Sequence, residues 1–311
     1  MDEFELIRRY FDRANTRADV VVGIGDDGAV VVPTPAMQQV SVIDTMVEGV
    51  HFPQHFNPAD VGYRAVAVNL SDIAAMGATP RWMTLALSMP VADAEWLALF
   101  AEGLHTAAAE FDVALIGGDT TRAPVTVVTV QVSGEVRHGT ALLRSGAKAG
   151  DTIYVTGTLG DSAAGLQGLE AGRPVKELLS RYARPSARVN YGRSLIGHAS
   201  AAIDISDGLY GDLSKLLAAS GVGAELDLDA LPISRSLAEH FDAADCRSFA
   251  LTGGDDYELC FTAPGRLPDP GILTVTAIGK VTEARDIVCT ENGRPVPFSD
   301  SGYAHFKSAG A

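Results

Sequence analysis

A chain of 311 residues is long for one typical domain and comfortable for two, each able to bury a core. Its 24 basic and 39 acidic residues leave a formal net charge of −15, which argues against nucleic acid or an anionic membrane surface as partner but leaves room for small anions whose charge is carried by metal. No apolar run approaches the ~20 residues of a membrane span, and the cysteines Cys246, Cys260 and Cys289, odd in number and without C-x-x-C spacing, indicate neither a disulfide framework nor a zinc site and fit a soluble protein of the reducing cytoplasm.

Phe4, Ile7 and Phe11 recur at helical spacing, with acids ahead of bases, and predict a packed first helix instead of a signal peptide. Val20 to Val32 joins two β-branched runs through Gly-Ile-Gly-Asp-Asp-Gly, which reads as strand, acidic loop, strand. Gly23, Gly25 and Gly28 spell G-x-G-x-x-G, yet the chain continues as a strand instead of opening a helix, and Asp26 and Asp27 repel a phosphate unless a cation sits between them. Taken alone, the acid pair is equally an ordinary solvated turn. Gln39 to Ile43 is the next strand and delivers Asp44 at its end, with Glu48 to Phe52 following. Asn57-Pro58 caps a helix that runs to Gly77, and Asp72 lies on its apolar stripe, where a carboxylate needs a cation, a capping partner or a metal. Trp82 to Met89 reads as a strand and Asp93 to Phe111 as an amphipathic helix. Val113 to Ile116 is a short strand ending in Gly117-Gly118-Asp119-Thr120-Thr121, and Val125 to Val136 closes a first domain.

The glycine-rich, basic stretch His138 to Asp151 marks a junction, giving domains over 1–137 and 151–311 joined by 138–150. The second opens with the strand Thr152 to Thr156 and a glycine turn into a helix from Asp161; Pro185-Ser186 starts another helix. Ser200 to Ile205 leads into Asp204-Ile205-Ser206-Asp207-Gly208-Leu209, with a helix from Leu209 to Ala219 behind it. Gly253-Gly254-Asp255-Asp256-Tyr257-Glu258-Leu259 echoes the Gly117 motif and precedes a strand to Thr262; Asn292-Gly293 is a hairpin turn, and Tyr303 sits in an aromatic tail.

Aspartates therefore recur at glycine turns, strand exits and a helix's inner face, mostly without His or Cys. Hard-oxygen ligands suit Mg²⁺, Mn²⁺ or Ca²⁺ and not zinc, and no calcium-loop spacing occurs. Mg²⁺ is normally held by a few carboxylates plus substrate phosphates, which points to a polyphosphate and to phosphoryl transfer. There is no G-x-x-x-x-G-K-[ST] and no H-R-D with D-F-G, so both common ATP-binding architectures are excluded. Arg144 and Lys148 in the junction could contact phosphate directly, or belong to a solvated linker.

Six motifs in order, Gly-Ile-Gly-Asp-Asp-x-Ala-Val, Val-Asn-Leu-Ser-Asp-Ile-Ala-Ala-Met-Gly, Ile-Gly-Gly-Asp-Thr-Thr, Ser-Gly-Ala-Lys-x-Gly-Asp, Ile-Asp-Ile-Ser-Asp-Gly-Leu and Gly-Gly-x-Asp-Tyr-Glu-Leu, resemble the thiamine-monophosphate kinase family over essentially the whole chain. The wider superfamily includes aminoimidazole ribonucleotide synthetase, selenophosphate synthetase and a hydrogenase-maturation protein. The resemblance implies an α/β (α+β) fold of two domains: an N-terminal ATP- and Mg²⁺-binding domain whose strands pair across a homodimer, and a C-terminal α/β substrate domain. It implies direct transfer of the ATP γ-phosphoryl group to thiamine monophosphate with several Mg²⁺ ions. Carried over by residue, Asp27, Asp44, Asp72, Asp119, Asp204 and Asp207 become metal ligands, with Ile43 through its carbonyl, and Asp72, Asp119 and Asp207 are the expected catalytic carboxylates. Gly118, Asp119, Arg144 and Ser206 become ATP contacts; His51, Asp255 and Tyr303 face thiamine phosphate, Tyr303 offering an aromatic face to the flat thiazolium cation. The chain departs from the family where Val42-Ile43 replace the usual Ser-Thr, and where Asp255 stands for a common Glu. Alternatives are another ATP-using enzyme of the superfamily or a catalytically silent nucleotide-binding dimer. The absence of any cysteine before Cys246 counts against selenophosphate synthetase, and the retained carboxylates count against silence.

Overall fold

The computed structural model describes residues 3–13 and 17–298, with secondary structure assigned from Glu3 and side chains from Glu5 onward. The chain divides into two compact units, residues 1–73 with 78–140, and residues 74–77 with 141–311.

In the first unit α1 (Glu3–Tyr10) precedes the short antiparallel pair β1 (Val20–Val22) and β2 (Val30–Val31), which closes the acidic loop. β3 (Met37–Val47), α2 (Pro58–Ala75), β4 (Thr79–Met89), α3 (Ala94–Glu110), β5 (Ala114–Arg122) and β6 (Val127–Arg137) follow. The four long strands form a sheet in the order β3-β6-β4-β5, antiparallel except for β4 with β5. Val128, Val130 and Val132 alternate into the core while Thr129 and Gln131 are half-buried, so one face of the sheet is apolar. That face meets α2, since the absent Cβ of Gly134 points at Ile73 Cδ1. Helices α2 and α3 touch backbone to backbone: a Cβ on Gly62 would fall 2.1 Å from Phe100 O, and one on Gly103 1.7 Å from Ala59 O. Asn57 caps α2 through Ala59 N, and Asp93 caps α3 through Glu95 N and Trp96 N, as their positions before a helical period predict. The opposite face is polar, with Thr45 to Thr129, Gln39 to Ser133 and Ser88 to Thr121 hydrogen bonds running across the strands.

Three expectations are corrected here. Asp44 does not end its strand, because β3 stays in register with β6 through eleven residues to Val47. Gly117 to Thr121 is part of β5 instead of lying at its exit, since Gly118 has no Cβ to hold the strands apart: one would sit 1.9 Å from Leu85 O. Trp82–Met89 and Val125–Val136, apolar strands whose sequence suggests edges that a partner must cover, are interior strands, and the sheet's edges are β3 and β5.

The second unit carries β7 (Thr152–Thr156), α4 (Asp161–Glu170), α5 (Lys176–Ala183), α6 (Val189–Ser194), β8 (Ala201–Asp204), α7 (Leu209–Ser220), β9 (Gly223–Asp227), α8 (Arg235–His240), α9 (Ala243–Thr252), β10 (Leu259–Ala263), β11 (Val275–Thr282), β12 (Ile287–Glu291) and β13 (Arg294–Val296). Its sheet runs β13-β12-β9-β11-β7-β10-β8. Ile153, Val155, Ile203, Leu213, Leu216 and Leu226 lie among its buried core. The helix expected at Pro185 begins four residues later at Val189; Pro185 and Ser186 are non-helical, and α5 ends before them. Asn292 and Gly293, both at positive φ, make the two-residue β12–β13 turn.

Candidate functional site

In the first unit, the acidic loop and β5 line one pocket of about 570 Å³, which brings Asp26 and Asp27 to the same cavity as Gly118 and Asp119. Ile7 and Arg8 of α1, with Phe11 just after it, add to its wall. The cavity thus offers carboxylates, a guanidinium and an apolar side. Asp26 Oδ1 accepts the Asp27 amide at 2.8 Å, which fixes the turn that presents the pair. Arg8 was not anticipated, because its spacing on a short helix reads only as a basic last turn.

The remaining sequence candidates of this unit are spread around the sheet. Asp44 pairs with Val130 and Asp119 with Ala86, itself opposite Thr129; the two rows are neighbours, so the two aspartates leave the sheet on opposite faces. Ile43 lies on the edge strand and is 64% exposed. Asp72 is half-buried on α2. His51 folds back on its own turn, where Nδ1 accepts the Val47 amide at 3.0 Å, so the neutral ring carries its proton on Nε2. Among the described residues, no group of three or more His, Cys, Asp or Glu side chains is gathered closely enough to hold an ion unaided.

In the second unit two motifs distant in sequence are zipped together. Asp255 N donates to Ser206 O, Tyr257 N to Ile205 O, and Ile205 N to Glu258 O, each at 2.8 Å. Leu259 then pairs with Asp204 across β10 and β8. Asp204, Ser206, Asp207 and Asp255 therefore share one end of the sheet. The second loop is bent sharply: Asp255 and Tyr257 have φ of 61° and 50°, and Tyr257 Oη donates to Asp255 Oδ1 at 3.1 Å. A bulky residue at positive φ costs energy that surrounding contacts must offset. Those contacts come from Glu258, fully buried, which accepts from Thr156 Oγ1 and Arg181 at 2.6 Å and from Arg188.

The first loop is held just as firmly. Asp212 Oδ2 accepts the amides of both Ser206 and Asp207 at 2.9 Å, and Lys215 Nζ joins Asp212 at 2.8 Å to Asp207 at 2.5 Å. Burial pushes the Asp212 carboxyl up, against the lowering effect of its hydrogen bond to Lys215. Asp212, Lys215, Arg181 and Arg188 went unassigned in the sequence: the first two, at i,i+3 on a helix, read as an ordinary surface pair, and the two arginines meet Glu258 only across 70 or more residues. The signal that could have found Asp212 is its place one turn into a helix whose preceding loop ends in a glycine.

Arg144 is exposed, but its backbone is not a solvated linker: Ser220 Oγ donates to Arg144 O at 3.0 Å and accepts from Gly146 N and Ala147 N at 3.1 Å. Ser220 closes α7, whereas Ser206 and Asp207 precede it, so α7, 12 residues or roughly 18 Å long, separates Arg144 from them. Tyr303 lies outside the described residues.

Comparison with known proteins matches residues 25–136 to the AIR synthase related protein N-terminal domain and residues 148–290 to the corresponding C-terminal domain. A thiamine-monophosphate kinase of Salmonella typhimurium is 47% identical, with 98% of each chain covered. Among solved structures, the thiamine-monophosphate kinase of Stenotrophomonas maltophilia superposes with a TM-score of 0.86 at 42% identity, over 95% of this chain and 98% of that one. The structure described as AaThiL complexed with AMPPCP and TMP superposes with a TM-score of 0.80 at 33% identity, over 88% and 89%. With both domain matches in chain order and near-complete coverage at this identity, the chain belongs to the thiamine-monophosphate kinase family.

Proposed function

We propose that this protein transfers the γ-phosphoryl group of ATP to the phosphate of thiamine monophosphate, forming thiamine diphosphate and ADP. The observation that carries the reading is identity of 47% over 98% of the chain to an enzyme of that name, beside an acid-bearing loop after β1 in the first unit and another after β8 in the second. The relative complexed with AMPPCP and TMP supports the same pair of ligands.

The donor set fits Mg²⁺. It consists of hard oxygens from Asp26, Asp27 and Asp119 around one cavity, and since no three or more such side chains among the described residues gather to hold an ion unaided, phosphate oxygens and water would complete the coordination, as is usual for this cation. Bound there, Mg²⁺ would neutralise phosphate charge and align donor with acceptor. Asp27 and Asp119 would hold it in that cavity; Asp44 with the Ile43 carbonyl, and Asp72, would serve further ions of the first unit, and Asp204 and Asp207 ions of the second. Gly118, on the wall of the same cavity, offers its backbone to the phosphates. Ser206 and Arg144 contact the nucleotide. His51, donating from Nε2, and Asp255, fixed by Tyr257, act on the thiamine phosphate side together with Tyr303.

The protein acts as a homodimer through the first unit, whose outer strand β3 pairs on one side only among the described residues, and whose polar sheet face lies opposite the face that meets α2. We place it in the cytoplasm: all three cysteines are free thiols, buried, and no helix among the described residues is long and apolar enough to cross a membrane. ADP release measured with and without thiamine monophosphate tests the activity. Release that requires thiamine monophosphate and Mg²⁺ is expected; equal release without the acceptor, or none at all, would overturn the assignment.

A further inference from the structure

The structure assigns to Asp212 and Lys215 a positioning role: together they set the Ser206–Asp207 turn in the geometry that receives the nucleotide. The inference rests on the reading of Ser206 and Asp207 as nucleotide and metal contacts. The pair makes no claim to touch the reacting atoms.

Three observations carry it. Asp212 is 1% exposed, and its Oδ2 takes the amides of both Ser206 and Asp207 at 2.9 Å, so one carboxylate oxygen dictates the direction of two successive peptide planes. Its other oxygen, Oδ1, is held by Lys215 Nζ at 2.8 Å, which leaves the carboxylate no freedom to turn. The same ammonium reaches Asp207 Oδ2 at 2.5 Å, so the side chain of Asp207 is aimed by the group that locks the cap beneath its backbone. Asp207 and Asp212 would otherwise repel each other across a short gap; Lys215 converts that repulsion into a bridge. Both residues stand on α7, and the helix thus holds the turn as a rigid body.

Residues that orient a metal's ligands are typically worth ten- to a hundredfold in affinity or activity. A positioning role also predicts a change that a purely local ion pair would not produce, namely loosening of the turn in the absence of any ligand.

The test uses the full chain as wild type and as Asp212→Ala, Lys215→Met and Lys215→Arg. Hydrogen exchange at the Ser206 and Asp207 amides is measured without metal or nucleotide, and KM is measured for ATP and for thiamine monophosphate. In Asp212→Ala the two amides should exchange about tenfold faster or more, and KM for ATP should rise on the order of tenfold. KM for thiamine monophosphate should stay within about twofold. Lys215→Met should move the same quantities in the same direction by less, and Lys215→Arg should restore most of the loss because it keeps the charge and a donor. Unchanged exchange at both amides in Asp212→Ala and Lys215→Met overturns the inference, as does a parallel rise in both KM values. A raised KM for ATP in Lys215→Met with wild-type exchange also overturns it, since Lys215 would then be a direct contact. If Asp212→Ala fails to fold, Lys215→Met, on a partly exposed side chain, decides by the same criteria. Should the wild type show no turnover, the proposed function has failed, while the exchange measurement still judges the positioning of the turn.

Discussion

Asp256 shows how a single buried acid in the second loop shapes the protein's response to pH. Its carboxyl is 3% exposed, and both oxygens lie 3.0 Å from one donor, the amide of Gly160 at the start of α4. Burial holds its pKa well above the ordinary 3.8, outweighing that amide and nearby Arg181. Above the unfolded value the unfolded chain has released this proton while the folded chain retains it, until pH passes the raised folded pKa. The folded state binds more protons in that window, so stability falls as pH rises, by up to about 1.4 kcal/mol per pH unit for one group. Asp256→Asn mimics the protonated acid and never ionises. Its melting temperature should therefore decline less than the wild type's between about pH 5 and 8, and parallel curves would show that the group carries no such burden.

The bent loop before β10 depends on elements far from it in sequence. Glu258 is fully buried between β7 and helices α5 and α6, with Arg181, Arg188 and Thr156 as partners. Removing one cation from a buried pair leaves an undercompensated charge and typically costs about 3 to 5 kcal/mol. Arg188→Met should cost about 3 kcal/mol, since Arg181 remains, read as a lower denaturant midpoint at unchanged slope. A loss under about 1 kcal/mol would mean that the carboxylate is solvated in practice. This network also marks where the sequence stops being readable. Elements with a strong local signature were legible: the valine alternation of β6, the Asp93 cap of α3, the Asn-Gly turn between β12 and β13. The lengths of β3 and β5 were not, because pairing with neighbouring strands carries both through aspartates and glycines that locally read as exits. The start of α6 was displaced for a similar reason: proline at 185 permits a first turn, and tertiary contacts of Arg188 with Glu258 place that turn later. The aspartate motifs were visible from their glycines. Their supports, Asp212, Lys215, Arg181 and Arg188, were not, since a helix presents them with no sign of which loop they serve.

At the scale of the whole molecule, the first unit ends its sheet on β3, where Ile43 is 64% exposed beside a row of Gln, Ser and Thr side chains. An edge of this length, paired on one side only among the described residues, invites pairing with a second copy. Light scattering at micromolar concentration should return twice the chain mass of 32.5 kDa. Because each copy carries −15, mutual repulsion opposes association, and added salt should strengthen the dimer by screening it. A particle of 32.5 kDa at every salt concentration would remove the dimer from the account.

The central claim is that one phosphoryl group passes directly from ATP to thiamine monophosphate. Incubating the protein with γ-labelled ATP, Mg²⁺ and thiamine monophosphate, then separating the products, follows that group itself. The account predicts label in thiamine diphosphate in one-to-one ratio with ADP, and loss of most of it in Asp119→Asn, whose carboxylate lines the same cavity as the acidic loop. Label recovered as inorganic phosphate, with thiamine monophosphate unchanged, would contradict it.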